Sequence, residues 1–342
     1  MRKAQYTMQD IANQLGISKS TVSRALKNHP DISQETKDAV NKLAEEMDYQ
    51  PNSLALSLRH KKSFVIGIIV PEIVHDFFAN VISGVQSVAY EEGYNVMICI
   101  SNESPEQEEV DVKAMYSSRV DGLLISLTKE TKKLKHIESI VNKGVPLVMF
   151  DRVSENINVS KVITDDFQGA FMATDHLVKQ GCKKIVHLSG PDNLSISSLR
   201  LNGYKDALSK NNIPVDDNLI IPCPEGTLSE ATKTMKSIIN SNLEFDGIFA
   251  NNDVTAIGAM NALKELGKKV PEDISIVGFG DWRLSQLLDP PLSSIEQSGI
   301  NIGVESAKLL FKQIKEEEND KEFTPITKVV QNNLIERKSS IK

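Results

Sequence analysis

Ten short apolar runs follow one another from residue 64 onward, and stretches with helical periodicity separate most of them. This alternation predicts parallel β-sheets that are covered by helices on both faces. About 280 residues are more than one such sheet needs, so we expect an α/β body of two lobes, each built on a doubly wound parallel sheet. The predicted strands are Phe64–Val70, Tyr94–Ile100, Gly122–Leu127, Pro146–Phe150, Val162–Asp165, Lys184–Leu188, Leu219–Ile221, Gly247–Ala250, Ile274–Phe279 and Ser294–Gln297.

Composition narrows the class of protein. The chain has 342 residues, of which 40% are hydrophobic and 25% charged, so disordered and fibrous classes are excluded and two or three domains are expected. There is no apolar run of about eighteen residues and no apolar core of a signal peptide, so we expect no membrane span and a cytoplasmic location. Cys99, Cys182 and Cys223 lack metal-ligand spacing and are expected to be reduced.

Charge is divided unevenly along the chain. Residues 1–62 carry ten Lys and Arg against seven Asp and Glu, which leaves 29 basic and 39 acidic residues for the remainder. A basic head, net +3, on an acidic body, net −10, indicates that the head meets a polyanion and that the body does not.

The head has the pattern of three short helices. Thr7 can cap the first helix, and Gly16 ends it because glycine readily takes the left-handed conformation of a helix C-terminus. Ser18 can cap a second helix over 18–26, and a third begins at Ser33. Two helices joined by a glycine turn and buried by a third favour a helix-turn-helix over the alternative, a small helical bundle with a solvated polar face.

The second helix turns polar residues outward, namely Lys19, Ser20, Ser23 and Arg24. A recognition helix places such residues against base edges in the major groove of DNA, where Arg24 can bond a guanine through two hydrogen bonds. Serine and threonine hydroxyls can hold phosphates, as can the helix N-terminus. The head is therefore predicted to bind double-stranded DNA.

Four segments carry a resemblance to a known family. They are Asp10-Ile11-Ala12, Gly16-Ile17-Ser18, Ser20-Thr21-Val22-Ser23-Arg24-Ala25-Leu26 and Tyr49-Gln50-Pro51-Asn52. In these segments, and in register over nearly its whole length, the chain resembles the lactose-repressor (LacI/GalR) family of bacterial transcription regulators. The resemblance implies a body like that of periplasmic binding proteins, a homodimer, and a pseudo-palindromic operator whose symmetry matches the protein's. The candidate DNA-binding residues are Thr7, Ser18, Lys19, Ser20, Thr21, Ser23, Arg24, His29, Asn52, Ala55 and Leu58.

Residues 51–62 join the head to the body. Pro51 ends the third helix, and Asn52 can cap a helix over 53–59 that is too short to be stable in isolation. The resemblance implies a hinge helix that orders on operator DNA, pairs with its dimer mate and pushes Leu58 into the minor groove. The alternative is an ordinary linker with some apolar character.

The residues that follow the predicted strands form a polar and aromatic set. Ligands of open α/β folds bind beyond the carboxyl ends of strands, and such a set suits a polyhydroxylated or heteroaromatic small molecule. The resemblance implies that the positions of Asp151, Arg200 and Asn252 line the effector cleft. It places the positions of Phe77, Phe78 and Gln297 at the edge of the cleft. The candidate effector-binding residues are Phe77, Phe78, Ser126, Asp151, Arg200, Asn252, Asp253, Asp281, Trp282 and Gln297.

Some of these residues have simpler explanations. Asp151 can cap a turn, Asp253 can cap the helix that follows it, and the two phenylalanines can be part of the core. One position also departs from the family pattern, because relatives commonly carry a ligand-binding acid where Gly280 stands. We expect Asp281 or Trp282 to replace that acid in part. Trp282, the only tryptophan, can equally pack between the lobes.

Other classes of protein find no support in the sequence. Dinucleotide-binding, phosphate-loop, H-E-x-x-H and G-x-S-x-G motifs are absent, so neither catalysis nor a cofactor is predicted. The six histidines show no metal-ligand spacing. A stand-alone binding protein for sugars or purine-like ligands would share the two-lobed body but not the head.

The sequence therefore predicts a homodimeric repressor whose operator affinity is switched by a sugar-like effector. Activation, corepression and a protein partner in place of the small molecule stay open. The predicted domains are a helix-turn-helix over 1–50, a hinge over 51–62 and an effector-binding and dimerisation domain over 63–342. The resemblance implies three crossings between lobes, near 162–164, 292–296 and 324–328. The corresponding lobes are an N-terminal one of about 63–162 and 293–325 and a C-terminal one of about 163–292 and 326–342.

Overall fold

The computed structural model describes residues 6–49, 62–241, 243–319 and 321–341. The chain forms two compact units, one that ends at Phe64 and one that begins at Val65. The predicted hinge residues Asn52, Ala55 and Leu58 lie outside the described residues.

The head unit contains the three predicted helices. They are α1 (Met8–Leu15), α2 (Lys19–Leu26) and α3 (Gln34–Glu46). Ile11, Val22 and Val40, one from each helix, are fully buried and form the centre of the core. Burial of one such side chain contributes roughly 1.5–3 kcal/mol, so the three helices stabilise one another.

Local sequence determines where these helices begin and end. Thr7 and Asp10 form a capping box at the start of α1, in which each side chain accepts a hydrogen bond from the other residue's backbone N–H. Gly16 follows α1 with a φ of +63°, in the left-handed region that favours glycine. Ser18 and Ser33 cap α2 and α3. The turn and caps are those that the sequence predicts.

The first lobe of the body is a parallel sheet between two layers of helices. The strand order is β2-β1-β3-β4-β5-β11. The strands are β1 (Val65–Val70), β2 (Asn95–Ile100), β3 (Gly122–Ile125), β4 (Leu147–Phe150), β5 (Ser160–Thr164) and β11 (Thr327–Val330). One face is covered by α4 (Asp76–Glu91) and α11 (Gly299–Glu318), and the other by α5 (Pro105–Ser117) and α6 (Lys135–Val141). Apolar residues on both faces are buried, as the continuous apolar runs predict.

The second lobe repeats this architecture. Its order is β7-β6-β8-β9-β10-β12, parallel except for β12, which runs antiparallel to β10. The strands are β6 (Ile185–Ser189), β7 (Ile220–Pro222), β8 (Gly247–Ala250), β9 (Ser275–Gly280), β10 (Ser293–Glu296) and β12 (Asn333–Ile335). One face is covered by α7 (Asp166–Lys179) and α8 (Ser195–Lys210), and the other by α9 (Leu228–Asn240) and α10 (Asp253–Glu265).

The predicted lobe boundaries need correction. Residues 293–296 were expected in the first lobe, but β10 pairs with β9 of the second lobe. Residues 327–330 were expected in the second lobe, but β11 pairs with β5 of the first. The chain therefore crosses at 165, at 297–298 and at 331–332. An apolar run in the sequence predicts a strand, but it does not predict the sheet with which that strand will pair.

The described residues contain no helix long and apolar enough to cross a membrane.

Candidate functional site

A cavity of about 960 Å³ lies between the two lobes of the body. It opens at the carboxyl ends of the parallel strands of both sheets, as expected for open α/β folds. Helices α4 and α11 of the first lobe and α8 and α10 of the second begin at its wall. Backbone N–H groups at helix starts lack partners within the helix, so the wall is rich in hydrogen-bond donors.

Asp151 presents a carboxylate to this cavity. It follows β4 directly, with a φ of +56°, and is only 7% exposed. No hydrogen bond to its carboxylate is made within the described part of the chain, and its ion pair with Arg152 is long, 4.0 Å between Oδ2 and Nε. Burial raises the pKa of Asp151 to about 6. The group is therefore a buried acceptor available to a ligand.

Arg200 forms the opposite part of the cavity floor. Its Nε donates to Oδ1 of Asp166 at 2.8 Å, and its Nη2 forms an ion pair with the same oxygen at 2.6 Å. Nη1 donates to the carbonyl oxygen of Asn251 at 2.6 Å. Its guanidinium lies 3.7 Å from the centre of the Phe279 ring, a cation–π contact. Burial raises the pKa of Asp166 although Arg200 acts in the other direction. The guanidinium is fixed in orientation and its charge is compensated.

Asp253 also lies at the wall, but its carboxylate holds the second lobe together. Oδ2 accepts hydrogen bonds from the backbone N–H of Trp282 and from Oγ of Ser285, both at 2.6 Å. Oδ1 accepts one from Oγ of Ser294 at 2.6 Å. With both oxygens engaged and the residue 3% exposed, Asp253 is a structural anchor rather than a free acceptor.

Asp281 was expected to replace in part the ligand-binding acid that relatives carry at the position of Gly280. In the structure the carboxylate of Asp281 is already paired. Oδ1 of Asp281 accepts a hydrogen bond from Nη1 of Arg337 at 2.6 Å, so its charge is paired within the second lobe. The Trp282 ring meets His75 of the first lobe edge to face, with centres 5.5 Å apart. Trp282 also lines the cavity, so its position is compatible with packing between the lobes and with contact to a ligand alike.

The other predicted effector residues differ in placement. Asn252 lines the cavity while its Oδ1 caps α10 by accepting from Thr255 N. Gln297 lines the cavity and donates to Oγ1 of Thr164 at 3.1 Å. Phe77 and Phe78 begin α4 at the wall, and their rings meet edge to face with centres 5.0 Å apart. Phe78 is also part of the first-lobe core.

Ser126 alone among the candidates lies away from the cavity. It is fully buried behind the first-lobe wall, where its Oγ accepts a long hydrogen bond of 3.4 Å from the backbone N–H of Arg152. Ser126 therefore does not line the cavity in this structure, and its contact with a ligand stays a prediction.

The candidate list omits several residues that line the cavity. Arg152 donates through Nη1 to both carboxylate oxygens of Glu103, at 2.8 and 3.0 Å. Glu103 also accepts from the backbone N–H of Lys129. Asn251 is 6% exposed, and its Oδ1 has no partner among the described residues. Asn251 directly follows β8 and Arg152 is the second residue after β4, and both belong to the polar set that the sequence places at strand ends. Glu103 follows β2, so the rule that located Asp151 would have found it as well.

Contacts between the lobes cross the cavity mouth at two places. On one side, Nζ of Lys129 donates to the carbonyl oxygen of Glu225 at 3.3 Å, and Asn193 donates to the carbonyl oxygen of Lys129 at 2.5 Å. On the other, Asp76 and Arg283 form an ion pair at 3.5 Å. The lobes are therefore held together across the mouth by contacts that do not involve a ligand.

The head presents the predicted polar surface on α2. Lys19, Ser20 and Arg24 are exposed, and Ser23 is half-buried. At the start of the helix the Ser18 hydroxyl shares hydrogen bonds with the hydroxyls of Ser20 and Thr21.

The remaining head candidates lie at helix ends. Thr7 is occupied in the capping box of α1, and His29 is exposed just beyond α2, where it pairs with Asp31 at 3.3 Å. Both Thr7 and His29 are exposed on the surface of the head.

Both units match known families. Residues 7–52 match the bacterial regulatory proteins of the lacI family, and residues 63–337 match the periplasmic binding proteins and sugar-binding domain of the LacI family. The chain belongs to the LacI family. It is thus a DNA-binding transcriptional regulator, and the predicted family and fold class are confirmed.

Relatives within the LacI family are named repressors. The ribose operon repressor of Halalkalibacterium halodurans is 35% identical over 315 residues, 92% of each chain. The repressor CytR of Escherichia coli K12 is 34% identical over 309 residues, 90% of each chain.

Solved LacI-family structures share the fold of this chain. The lac repressor bound to ONPG in its repressed state superposes with a TM-score of 0.86 at 25% identity, over 98% of this chain and 100% of that one. The complex of the regulator CelR with cellobiose gives a TM-score of 0.73 at 26% identity, over 98% and 99% of the two chains. Among the described residues of this LacI-family member, no group of three or more His, Cys, Asp or Glu side chains could hold a metal ion.

Proposed function

We propose that this LacI-family regulator is a homodimeric, cytoplasmic repressor that leaves a pseudo-palindromic operator when a neutral, polyhydroxylated ligand binds in the cavity between its lobes. The observation that carries the proposal is the buried carboxylate of Asp151, which accepts no hydrogen bond from the described residues, in a cavity wall rich in hydrogen-bond donors. Hydroxyl groups of a sugar donate to such a carboxylate and accept from the arginines and helix N–H groups around it.

The charge balance of the cavity floor favours a neutral ligand over a phosphorylated one. Arg200 is paired with Asp166 and Arg152 with Glu103, so neither guanidinium carries an uncompensated charge. A phosphate on this floor would instead face the carboxylate of Asp151 at low dielectric, and like charges repel strongly there. The names of the relatives are consistent with a neutral sugar ligand, since they include a ribose operon repressor and a regulator solved with cellobiose.

On the DNA side, α2 is the recognition helix of the proposal. Its exposed Lys19 and Arg24 reach base edges or phosphates, while the serine hydroxyls and N–H groups at the helix start hold the backbone. One good contact of this kind contributes about 1–3 kcal/mol of discrimination. The effector would act through a coupling free energy of about 1–3 kcal/mol between the two sites.

The test of the DNA side uses an operator selected from a random DNA library by the full-length protein. Fluorescence anisotropy then measures affinity for that operator and for a scrambled duplex. Replacing both Lys19 and Arg24 with Ala should lower specific affinity at least about 30-fold, the sum of two contacts of about 1 kcal/mol or more. Replacing both Lys37 and Lys42 of α3 with Ala is the matched control, since it also removes two positive charges from the head. Specific binding that survives the double substitution would exclude α2 as the recognition helix.

The test of the effector side adds ligands to the same operator complex. A neutral sugar or sugar derivative should weaken operator binding by about 5- to 150-fold, the range that this coupling corresponds to. Tighter operator binding on ligand addition would assign corepression instead. Release by a sugar phosphate alone would contradict the charge argument.

A further inference from the structure

Glu103 has an unusual backbone conformation at the cavity wall. It follows β2 as the second of two successive residues, Asn102 and Glu103, whose φ values are +50° and +57°. Asparagine tolerates this left-handed region, but glutamate is uncommon there. The backbone N–H of Glu103 donates to the carbonyl oxygen of Pro71 at 3.1 Å, which holds the strained turn in place. Strain of this kind persists only where the surrounding structure enforces it, and it concentrates at functional sites.

The carboxylate that this turn positions makes three hydrogen bonds. Both of its oxygens accept from Nη1 of Arg152, at 2.8 and 3.0 Å. Oε2 also accepts from the backbone N–H of Lys129 at 2.8 Å. Glu103 thus fixes a guanidinium of the cavity wall and, at the same time, the loop whose lysine contacts the second lobe at the cavity mouth.

Arg152 lies between two carboxylates and is bonded to only one of them. Its Nε is buried and makes no hydrogen bond with the described residues. Oδ2 of Asp151 lies 4.0 Å from this Nε, and no described residue donates a hydrogen bond to it. A shift of about 1 Å would bring the two atoms to hydrogen-bond distance.

Burial favours such a shift toward Asp151. The side chain of Asp151 is 7% exposed and that of Glu103 is 24% exposed, so the more deeply buried carboxylate is the one without a bonded partner. The strained turn opposes the shift, because it sets the Glu103 carboxylate against Nη1 of Arg152.

We infer that Glu103 is a positioning residue of the cavity, which holds Arg152 away from Asp151 and so keeps the Asp151 carboxylate available to a ligand. Without the charge of Glu103, Arg152 moves onto Asp151 and occupies the acceptor itself. The inference rests on the proposed function, in which Asp151 receives hydrogen bonds from the effector.

Four charged groups face the Asp151 carboxylate. Burial raises the pKa of Asp151 to about 6, Arg152 and Arg200 act to lower it, and Asp166 and Glu103 act to raise it. If Arg152 closes on Asp151, the pKa of this carboxyl falls, because a bonded guanidinium favours the charged form. The native state then no longer holds the proton more tightly than the unfolded chain, and the ionised carboxylate ceases to weaken the fold.

The experiment is a double-mutant cycle on the full-length protein without ligand, measured as the urea midpoint of unfolding at pH 7.5. Asp151→Asn should raise the midpoint of the wild type, because it removes a buried charge that lacks a bonded partner. In the Glu103→Gln background this rise should shrink to less than half or change sign, because Arg152 now pairs with the charge. Glutamine keeps the size of the side chain and an oxygen that can accept from the backbone N–H of Lys129, so the loop keeps its contact.

Two further backgrounds isolate the movement of Arg152. With Arg152→Met in place, Glu103→Gln acts on Asp151 only through the loss of its own charge, so more than half of the rise should remain. Glu130→Gln removes an exposed carboxylate from the same loop as Lys129 and should leave the rise unchanged.

The inference has clear contrary outcomes. A rise in the Glu103→Gln background that exceeds half of the wild-type value would overturn it. A reduction that is equally large with and without Arg152 would do the same, and so would the absence of any rise in the wild type. Operator release by a neutral sugar tests the proposed function separately, so the inference and the proposed function can fail independently.

Discussion

Replacement of Asp151 by Asn separates two effects of one buried charge. Asparagine has the same shape and tolerates the left-handed backbone found here, φ +56°, so the substitution removes the charge with little change in packing. In the empty protein the ionised carboxylate is buried without a hydrogen bond from the described residues, which is costly. In the complex it receives hydrogen bonds from the ligand. The variant should therefore be more stable than the wild type and bind effector less tightly.

The magnitudes follow from the pKa of Asp151. A pKa of about 6 against the ordinary 3.8 corresponds to about 3 kcal/mol, at about 1.4 kcal/mol per pH unit. Because the native state holds the proton more tightly than the unfolded state, the wild type loses free energy of unfolding as the pH rises from 4 to 6. The Asn variant has no carboxylate at this position, so its free energy of unfolding does not fall in this way as the pH rises. Its advantage should be near zero at pH 4 and reach up to about 3 kcal/mol above pH 6.

The same substitution should weaken effector binding, although it raises the free energy of unfolding. Loss of hydrogen bonds to a charged acceptor is worth about 1.5–3 kcal/mol, so the Kd should rise roughly 10- to 100-fold at pH 7.5. In the wild type, ligand hydroxyls need the ionised carboxylate, and affinity should fall about tenfold per pH unit below pH 6. In the variant the Kd should be independent of pH over this range.

Urea unfolding at several pH values measures the change in stability. Calorimetric titration with the ligand that most weakens operator binding measures the change in effector affinity. Asp192→Asn, which removes an exposed carboxylate beyond β6, is the control for a change in net charge. Two results would refute the reasoning: a variant less stable than the wild type at pH 7.5, or effector affinity that is the same in both proteins from pH 7.5 to 5.

Two further predictions concern groups around the cavity. Arg200→Ala leaves the carboxylate of Asp166 buried without its partner and should lower the free energy of unfolding by about 3–5 kcal/mol, measured by urea denaturation; unchanged stability would mean that Asp166 is neutral in the native protein. Lys129→Met removes the bond from Nζ to the carbonyl oxygen of Glu225 at the mouth and should speed effector dissociation at least threefold in stopped-flow measurements, with the unfolding midpoint unchanged. Equal dissociation rates would show that this contact does not restrain opening.

The fold could be predicted from the sequence because its strands are continuous apolar runs. All ten predicted strands have a counterpart in the structure. The central strands, such as β1, β3 and β8, are buried on both faces, which leaves little choice of residue. The lobe boundaries could not be predicted in the same way. β11 and β12 lie three residues apart in one polar stretch and join different sheets, and only tertiary hydrogen bonds decide which.

The candidate site was predictable in position but not in role. Asp151, Asp253 and Asp281 all follow strands, and nothing in their positions in the sequence distinguishes their roles. Their partners differ: Asp253 meets two serine hydroxyls, Asp281 meets Arg337 from the far end of the chain, and Asp151 has no such donor among the described residues. The availability of a carboxylate to a ligand is thus set by neighbours that are distant in sequence.

The same hydrogen bonds suggest how a ligand acts on the relation between the lobes. Gln297 lies in one of the segments where the chain crosses between lobes, and it donates to Thr164, the last residue of β5, which directly precedes another crossing. Thr164 also donates to Asp166, the partner of Arg200. The third crossing joins this network, because Nδ2 of Asn332 donates to the carbonyl oxygen of Asp165 at 3.0 Å. A ligand that bonds Gln297 would therefore contact a crossing segment itself. A ligand that bonds Arg200 would act on the crossing at 165 through Asp166, the residue that follows it.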